Sequence, residues 1–258
     1  MASRRVALAC IGVCVWWFAV GHAPAFGQLS KESRSLTTTS SSTRSSLYAP
    51  PVVALESLPE KVRDKARLVV ERPTLSAQGP VEVFNCDPTT YAWLLDRPDK
   101  ALKLWHLLGA KCTDIQNRGG GRFGYRDELG SDVRWETVLS NSRQRIWYAE
   151  GQVKPAVLLP AAQLQALLVL NFVEGSDSQG RPAVKHQMHL LLHTDSHAVA
   201  LATRFLGASA PRIAEQYVGQ IEMFFGALAW YLDQHPEHAR ELFAQIEKTG
   251  SGLTAPRR

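Results

Sequence analysis

Residues 211–234 read PRIAEQYVGQIEMFFGALAWYLDQ, and the fold is decided there. Pro211 suits a first helical turn, and Ile213, Tyr217, Ile221, Phe224, Leu228 and Tyr231 recur at helical spacing, with Val218, Phe225 and Leu232 on a flank. So broad an apolar stripe calls for a sheet beneath it rather than one neighbouring helix. The preceding segments supply that sheet. From Lys111 the period changes from helical to alternating, and turn residues recur as in an antiparallel meander. Six strands are expected, at 111–118, 122–127, 131–139, 143–153, 163–174 and 183–194.

Further upstream, 81–86 alternates as a strand. Asp87 before Pro88 is a capping carboxylate ahead of a first-turn proline, and Tyr91, Leu94 and Leu95 form the apolar side of the short helix that follows. Pro98 and Asp99 break it and start a second helix through Leu102, Trp105 and Leu108, ended by Gly109. An earlier helix has Ser57 and Glu60 at capping-box spacing; Leu58, Val62, Ala66 and Val70 form the face it leans on the domain, and Pro73 stops it. After the strands, Asp195 and Ser196 cap a helix through Ala198, Leu201 and Phe205 to Gly207. Beyond Pro236 a final exposed turn or two is expected through Leu242 and Ile246.

The two ends of the 258 residues are of another kind. Arg4 and Arg5 precede an apolar run of 15 residues, Val6 to Val20, and the small residues Ala23, Ala25 and Gly27 follow, which is the three-part layout of an export signal. The run falls short of the roughly 17 to 25 residues that span a bilayer, so the membrane is a partner only through this segment if it stays uncleaved. From Ser30 to Ser46, 12 of 17 residues are Ser or Thr, a composition that cannot recover its ordering entropy by burial. The expected organisation is a signal at 1–27, a disordered tether at 28–51, a helical extension at 52–78, the main domain at 79–246 and a disordered tail at 247–258. The expected location is periplasmic, cell-envelope or secreted.

The formal charge of +5 mostly belongs to those ends: Arg4 and Arg5 hold two, and Lys31, Arg34 and Arg44 against Glu32 hold two more, which leaves +1 for the folded part. That balance offers no basic face for phosphates, so nucleic acid is excluded. Cys10 and Cys14 leave with the signal. Cys86 and Cys112 remain, either as a disulfide closing a loop of about 27 residues, worth on the order of 3 kcal/mol, or as two buried free thiols.

Few groups of side chains point to chemistry. Gly119, Gly121 and Gly124 match GxGxxG in form, but no helix starts there, so they make a hairpin turn and not a phosphate cradle. His186, His189, His193 and His197 crowd near Asp195. On a strand His189 and His193 share a face about 13 Å apart while His186 points the other way, so no metal site is expected. The serines at 176 and 178 miss the GxSxG spacing. Asp127, Glu128, Asp132 and Glu136 cluster at a turn, where solvated carboxylates are the default. Aromatics are more plentiful, among them Trp93, Trp105, Trp135, Trp147, Tyr217 and Phe224, and they either fill a core or line an apolar pocket. Gly219, Gly226, Ala227 and Ala229 in the closing helix either leave volume or let the helix pack closely.

The order strand, two short helices, six strands and a long closing helix, from Val81 to Gln234, resembles the START-like helix-grip superfamily of lipid-transfer domains, pollen allergens and polyketide cyclases. No motif accompanies the resemblance. The helix near Pro59, the one at 195–207 and the tail after Pro236 depart from it. The resemblance implies an α+β fold with a curved antiparallel sheet of about seven strands gripping a long carboxy-terminal helix, preceded by two short helices. Together with the export signal and the lack of a catalytic motif, it leads to the expectation of an exported, non-enzymatic domain that takes an apolar small molecule or lipid between sheet and helix, without a cofactor. The facing of the elements assigns Trp135, Tyr148, Leu168, Leu190, Tyr217, Ile221, Phe224 and Leu228 to that ligand. An envelope scaffold with a filled core and a cyclase-like enzyme are the alternatives.

Overall fold

A break in one edge strand organises the molecule. In the computed structural model, which describes residues 53–154, 161–196 and 209–251, β1 (Leu75–Gln78) and β2 (Glu82–Asn85) both pair antiparallel with β8 (Pro182–His193). They are two halves of one edge, interrupted at 79–81. Gly79 N–H still donates to the Met188 carbonyl oxygen at 2.9 Å, but Pro80 has no N–H with which to continue the ladder. From this edge the antiparallel sheet runs through β7 (Ala162–Ser176), β6 (Gln144–Val153), β5 (Asp132–Ser140), β4 (Arg122–Arg126) and β3 (Gln116–Asn117). Eight strands lie on seven tracks, as the expected number allows. The stretches expected to be a signal and a tether, the segment from 197 to 208 and the last residues lie outside the described part.

Two local features coil the sheet. The β5–β6 register shifts between Thr137 and Leu139, which adds a residue and bends the strand. Opposite, a side chain at Gly151 would strike the Asp132 and Val133 backbone, so only glycine allows this approach. The β3–β4 turn passes through Gly119, Gly120 and Gly121, all at φ between +62° and +75°, as a hairpin and not a helix start.

Both faces are covered. On the inner face lie α2 (Pro88–Asp96), α3 (Pro98–Leu107), the long α4 (Ser209–Gln234) and α5 (Pro236–Ser251), sharing one core that includes Leu94, Leu104, Trp147, Leu170, Phe225 and Leu242. Asp87 caps α2 as expected, accepting from Thr90 N–H at 2.9 Å. The Arg145 guanidinium, 5% exposed on β6, grips the Asp96 carboxylate at 2.8 Å and ties the end of α2 to the sheet. On the outer face α1 (Glu60–Glu71) lays Val62, Ala66 and Val69 over Ile146, Tyr148, Leu167 and Val169. Among the described residues no helix is long and apolar enough to cross a membrane.

Three expectations need correction, and of the two alternatives for the cysteines the free thiols are found. Ser57 does not cap α1: it closes a short turn at Leu55–Ser57, its hydroxyl donates to the Ala54 carbonyl oxygen at 2.6 Å, and Pro59 stands at the cap. Leu75–Gln78, assigned to a helical extension, is a strand because β8 pairs with it. Cys86 and Cys112 are free thiols, Cys86 fully buried and Cys112 partly so, and burial pushes the Cys86 thiol up to about 12. The tail after Pro236 is a helix of 16 residues that buries Ala239, Leu242 and Ile246 instead of an exposed turn. Leu242, 1% exposed, is therefore a core residue. Its truncation in Leu242→Ala is expected to cost about 2–5 kcal/mol in urea unfolding, against about 0.5 kcal/mol or less for an exposed position.

Candidate functional site

Glu222 fixes how α4 lies on the inner face. It is fully buried, and its Oε1 accepts the Met188 N–H that the broken edge leaves without a strand partner. The Gln187 amide donates to the Gly79 carbonyl oxygen at 3.1 Å and completes the repair. A side chain at Gly79 would collide with the Glu222 carboxyl, so the helix reaches the break only because residue 79 is glycine. Next to it, Gly219 lies against Pro80 and Gly226 against Phe84, where added Cβ atoms would stand 3.3 and 3.1 Å from the nearest carbons. The small residues of α4 thus serve close packing at this edge rather than an empty volume.

Beside this contact runs a chain of buried polar groups. The His186 ring, fully buried, has Nε2 3.1 Å from Glu82 and Nδ1 2.5 Å from the Tyr91 hydroxyl. A carboxylate accepts only, so Nε2 carries the proton and Nδ1 accepts from Tyr91. Burial holds the Tyr91 phenol well above its ordinary value. With Tyr91 and His186 both closed off from solvent, the chain ties α2, β2 and β8 together rather than offering an acid and a base to a substrate.

Away from the edge the inner face is different. Helix α4 packs against β1, β2 and β8, and the middle strands lie to one side of it. There the register sets Phe123, Trp135, Ala149 and Ala166 side by side across β4 to β7, and Trp147, Leu168 and Leu190 in the next row. Trp135 stacks on Phe123 with centroids 5.6 Å apart, and Trp147 lies parallel to Phe225 of α4 at 6.4 Å. Ala149 and Ala166 are the smallest side chains of these rows, so the apolar surface dips beside Trp135 and Trp147. Trp135, Ala149 and Leu168 there, and Ile221 on α4, are only half-buried, although all pack on the main core.

Of the residues expected to meet a ligand, Trp135, Leu168, Leu190, Ile221, Phe224 and Leu228 belong to this inner cluster. Phe224 and Leu228 are core residues, and Phe224 is further held by Trp105, whose indole N–H donates to its carbonyl oxygen at 3.1 Å. Tyr217 is half-exposed and stands apart from the cluster. Tyr148 is on the other face, under α1, with the Lys65 ammonium 5.9 Å from its ring centre. Strand β6 is covered on both sides, so the alternation of Tyr148 with Trp147 could not tell one face from the other. Trp147 and Ala149, on the same strand, were left out of that set for the same reason. Glu222 was detectable: it falls on the flank Val218–Phe225–Leu232, where an acidic residue is out of place.

The histidines divide between faces as the strand geometry implies. His186 pairs with Glu82 and Phe172 on the inner face, while His189 and His193 stand opposite Val169 and Gln165 on the outer one; His197 lies outside the described residues. Among the described residues no three His, Cys, Asp or Glu side chains converge as a metal site.

Burial pushes the Glu222 carboxyl up to about 8, with Glu82 adding to the rise and the Met188 N–H opposing it. In the unfolded chain it titrates near 4.5. Between these values the folded state holds one proton more than the unfolded state, so this group's contribution is complete below the lower value and is lost as pH rises through the upper one. Glu222→Gln is expected to remove a fall in stability on the order of 1 kcal/mol per pH unit across that window. Urea midpoints of both chains at pH 5, 7 and 9 check it, and the variant should be the more stable at pH 9.

No family model matches this chain, and no curated protein does. Among solved structures it is similar to a conserved protein from Geobacillus kaustophilus, at 10% identity over 60% of this chain and 95% of that one, with a TM-score of 0.39. It is also similar to a truncated norcoclaurine synthase from Thalictrum flavum, at 9% identity over 57% and 92% of the two chains with a TM-score of 0.32. A third is the di-domain ARO/CYC StfQ from the steffimycin biosynthetic pathway, at 14% identity over 68% of this chain and 56% of that one, with a TM-score of 0.35. This chain is itself α+β, an antiparallel sheet covered on one face by a long helix near its carboxy-terminal end.

Proposed function

We propose that this chain is an exported, tethered domain of START-like kind that binds an apolar small molecule or lipid without covalent chemistry, against the inner face of β5 to β7 beside α4. One observation carries the reading: on the inner face Ala149 and Ala166 pair in register beside Trp135, with Trp147 and Leu168 in the adjoining row, and Trp135, Ala149 and Leu168 are only half-buried although they belong to the core. Such a surface offers ring faces and aliphatic carbon and almost no hydrogen bonding, so it selects by shape and apolar area. Export rests on the apolar run after Arg4 and Arg5. The close packing at Gly219 and Gly226 favours a second reading, a scaffold with a filled core.

The double substitution Ala149→Leu/Ala166→Leu separates the two. Where the dip is open, added methylene groups fill it: stability falls by less than about 1 kcal/mol, and binding of cis-parinaric acid, read by energy transfer from tryptophan, weakens at least tenfold. In a filled core the same change overpacks and costs about 1–3 kcal/mol. The wild-type chain should also gain about 3 kcal/mol of stability at a ligand concentration a hundred times Kd. Absence of binding by the wild type to a fatty-acid and sterol panel overturns the ligand reading.

A further inference from the structure

The outer face carries a second concavity. Where α1 ends, the apolar rows beneath it give way to two polar rows in register: Arg134, Glu150, Gln165 and His193 in one, Asp132, Gln152 and Gln163 in the next. They floor a hollow of about 500 Å³ on the opposite side of the sheet from the apolar dip. That size lies within the roughly 300–1,000 Å³ of small-molecule sites.

Its charges are already matched. Glu150 takes Lys65 of α1 at 2.7 Å and the Tyr148 hydroxyl at 3.0 Å, and Asp132 takes Arg126 at 2.6 Å. Arg126 holds the Asp132 carboxyl below its ordinary range, and Lys65 does the same for Glu150, so both stay ionised. His193 Nδ1 meets the Arg72 carbonyl oxygen at the end of α1, 2.6 Å away. Two shielded oxygens have no hydrogen-bond partner: Gln165 Oε1 and Asp132 Oδ1. Arg134 Nε pairs with the latter only at 3.8 Å, beyond hydrogen-bond range.

Both orphans are acceptors, so a complementary ligand must donate. An ammonium donor would sit among Lys65, Arg126 and Arg134; an anion would face Asp132, Glu150 and Asp195 and lacks donors. Lipid chains find one apolar residue there, Leu164, against nine polar residues and a glycine's backbone. A neutral hydroxyl fits each demand, since it gives a proton to the orphan oxygens and accepts from the Gln152 and Gln165 amides. Strands about 4.8 Å apart repeat this donor–acceptor pattern across the floor, which suits several hydroxyls on one ring. We infer that this hollow is a ligand site of its own, for a neutral polyhydroxylated molecule of the mono- or disaccharide class.

Saturation-transfer NMR and calorimetry on the full folded chain test it, with glucose, N-acetylglucosamine, maltose and trehalose as probes and spermidine and citrate as charged comparators. At least one saccharide should receive saturation and bind. Gln165→Leu should weaken it about tenfold, the weight of one buried hydrogen bond. Gln152→Leu, at an exposed position where folding is not at stake, should weaken it less but measurably. The Ala149→Leu/Ala166→Leu chain, altered only on the opposite face, should bind as the wild type does. The site is overturned if no saccharide binds, if both glutamine variants bind unchanged, or if spermidine or citrate displaces the sugar. Failure here leaves the apolar reading standing, and loss of saccharide binding on filling the dip would place the sugar on the wrong face.

Discussion

A carboxyl group on a helix completing a hydrogen-bond ladder in a sheet is the constraint from which the rest of this structure follows. The break at 79–81 leaves Met188 N–H without a strand acceptor, and an unpaired buried amide costs about as much as a lost hydrogen bond. Glu222 supplies the acceptor from the middle of α4, and Gly79, Gly219 and Gly226 clear its approach. The helix is thereby held to one edge of the sheet. Because it lies over β1, β2 and β8, it leaves the inner face of the middle strands less completely covered, with Trp135, Ala149 and Leu168 half-buried. The place of the apolar dip is thus a consequence of where the helix is pinned.

The second consequence concerns the sheet itself. A strand with helices on one side only would alternate apolar and polar residues; β6 instead buries Arg145, Ile146, Trp147 and Tyr148 in succession. Helix α1 makes this possible by covering the outer face as far as Tyr148 and no further, and Lys65 marks the limit by reaching from α1 to Glu150. Beyond that limit the outer side chains are polar, and within it they are mostly apolar, with His189 beside Val169 and Glu136 beside Tyr148 as exceptions. The composition of each cross-strand row follows the helix above it rather than the strand to which it belongs.

That dependence explains what could and could not be read from the chain. The long helix, the paired short helices from Asp87–Pro88 to Gly109, and seven of the eight strands were legible because each carries its own periodicity and its own stop residues. Leu75–Gln78 has none of this: Leu-Ser-Ala-Gln contains no β-branched or aromatic residue, and it is a strand only because β8 offers it a partner. Ala239, Leu242 and Ile246 form a stripe too narrow to separate a buried helix from an exposed turn. What buries it is remote, as when Phe243 meets Trp93 of α2 with centroids 5.2 Å apart. The candidate site divides along the same line. Phe224 and Leu228 were found because their helix has one buried face, while Tyr148 was misplaced because its strand has two; β7 and β8 are likewise covered on both faces, so nothing in their alternation singled out Leu168 and Leu190.

Polarity is sorted by face with little mixing, and this bears on what the molecule can hold. On the inner side the polar groups are engaged with one another at the helix-covered end, Tyr91 with His186 and Glu82, and Arg145 with Asp96. None of them is directed at the Trp135–Ala149–Ala166 row. A ligand lying there would meet carbon and ring faces, and its affinity would grow with buried apolar area and little else. On the outer side the reverse holds: amides, carboxylates and one guanidinium floor the hollow, and affinity there would come from directed hydrogen bonds. The sheet stands between the two surfaces as a wall of paired backbone. No single amphipathic molecule can touch both, so any coupling between the two faces must pass through β5, β6 and β7 themselves, where Gly151 and the Thr137–Leu139 bulge give the sheet its bend.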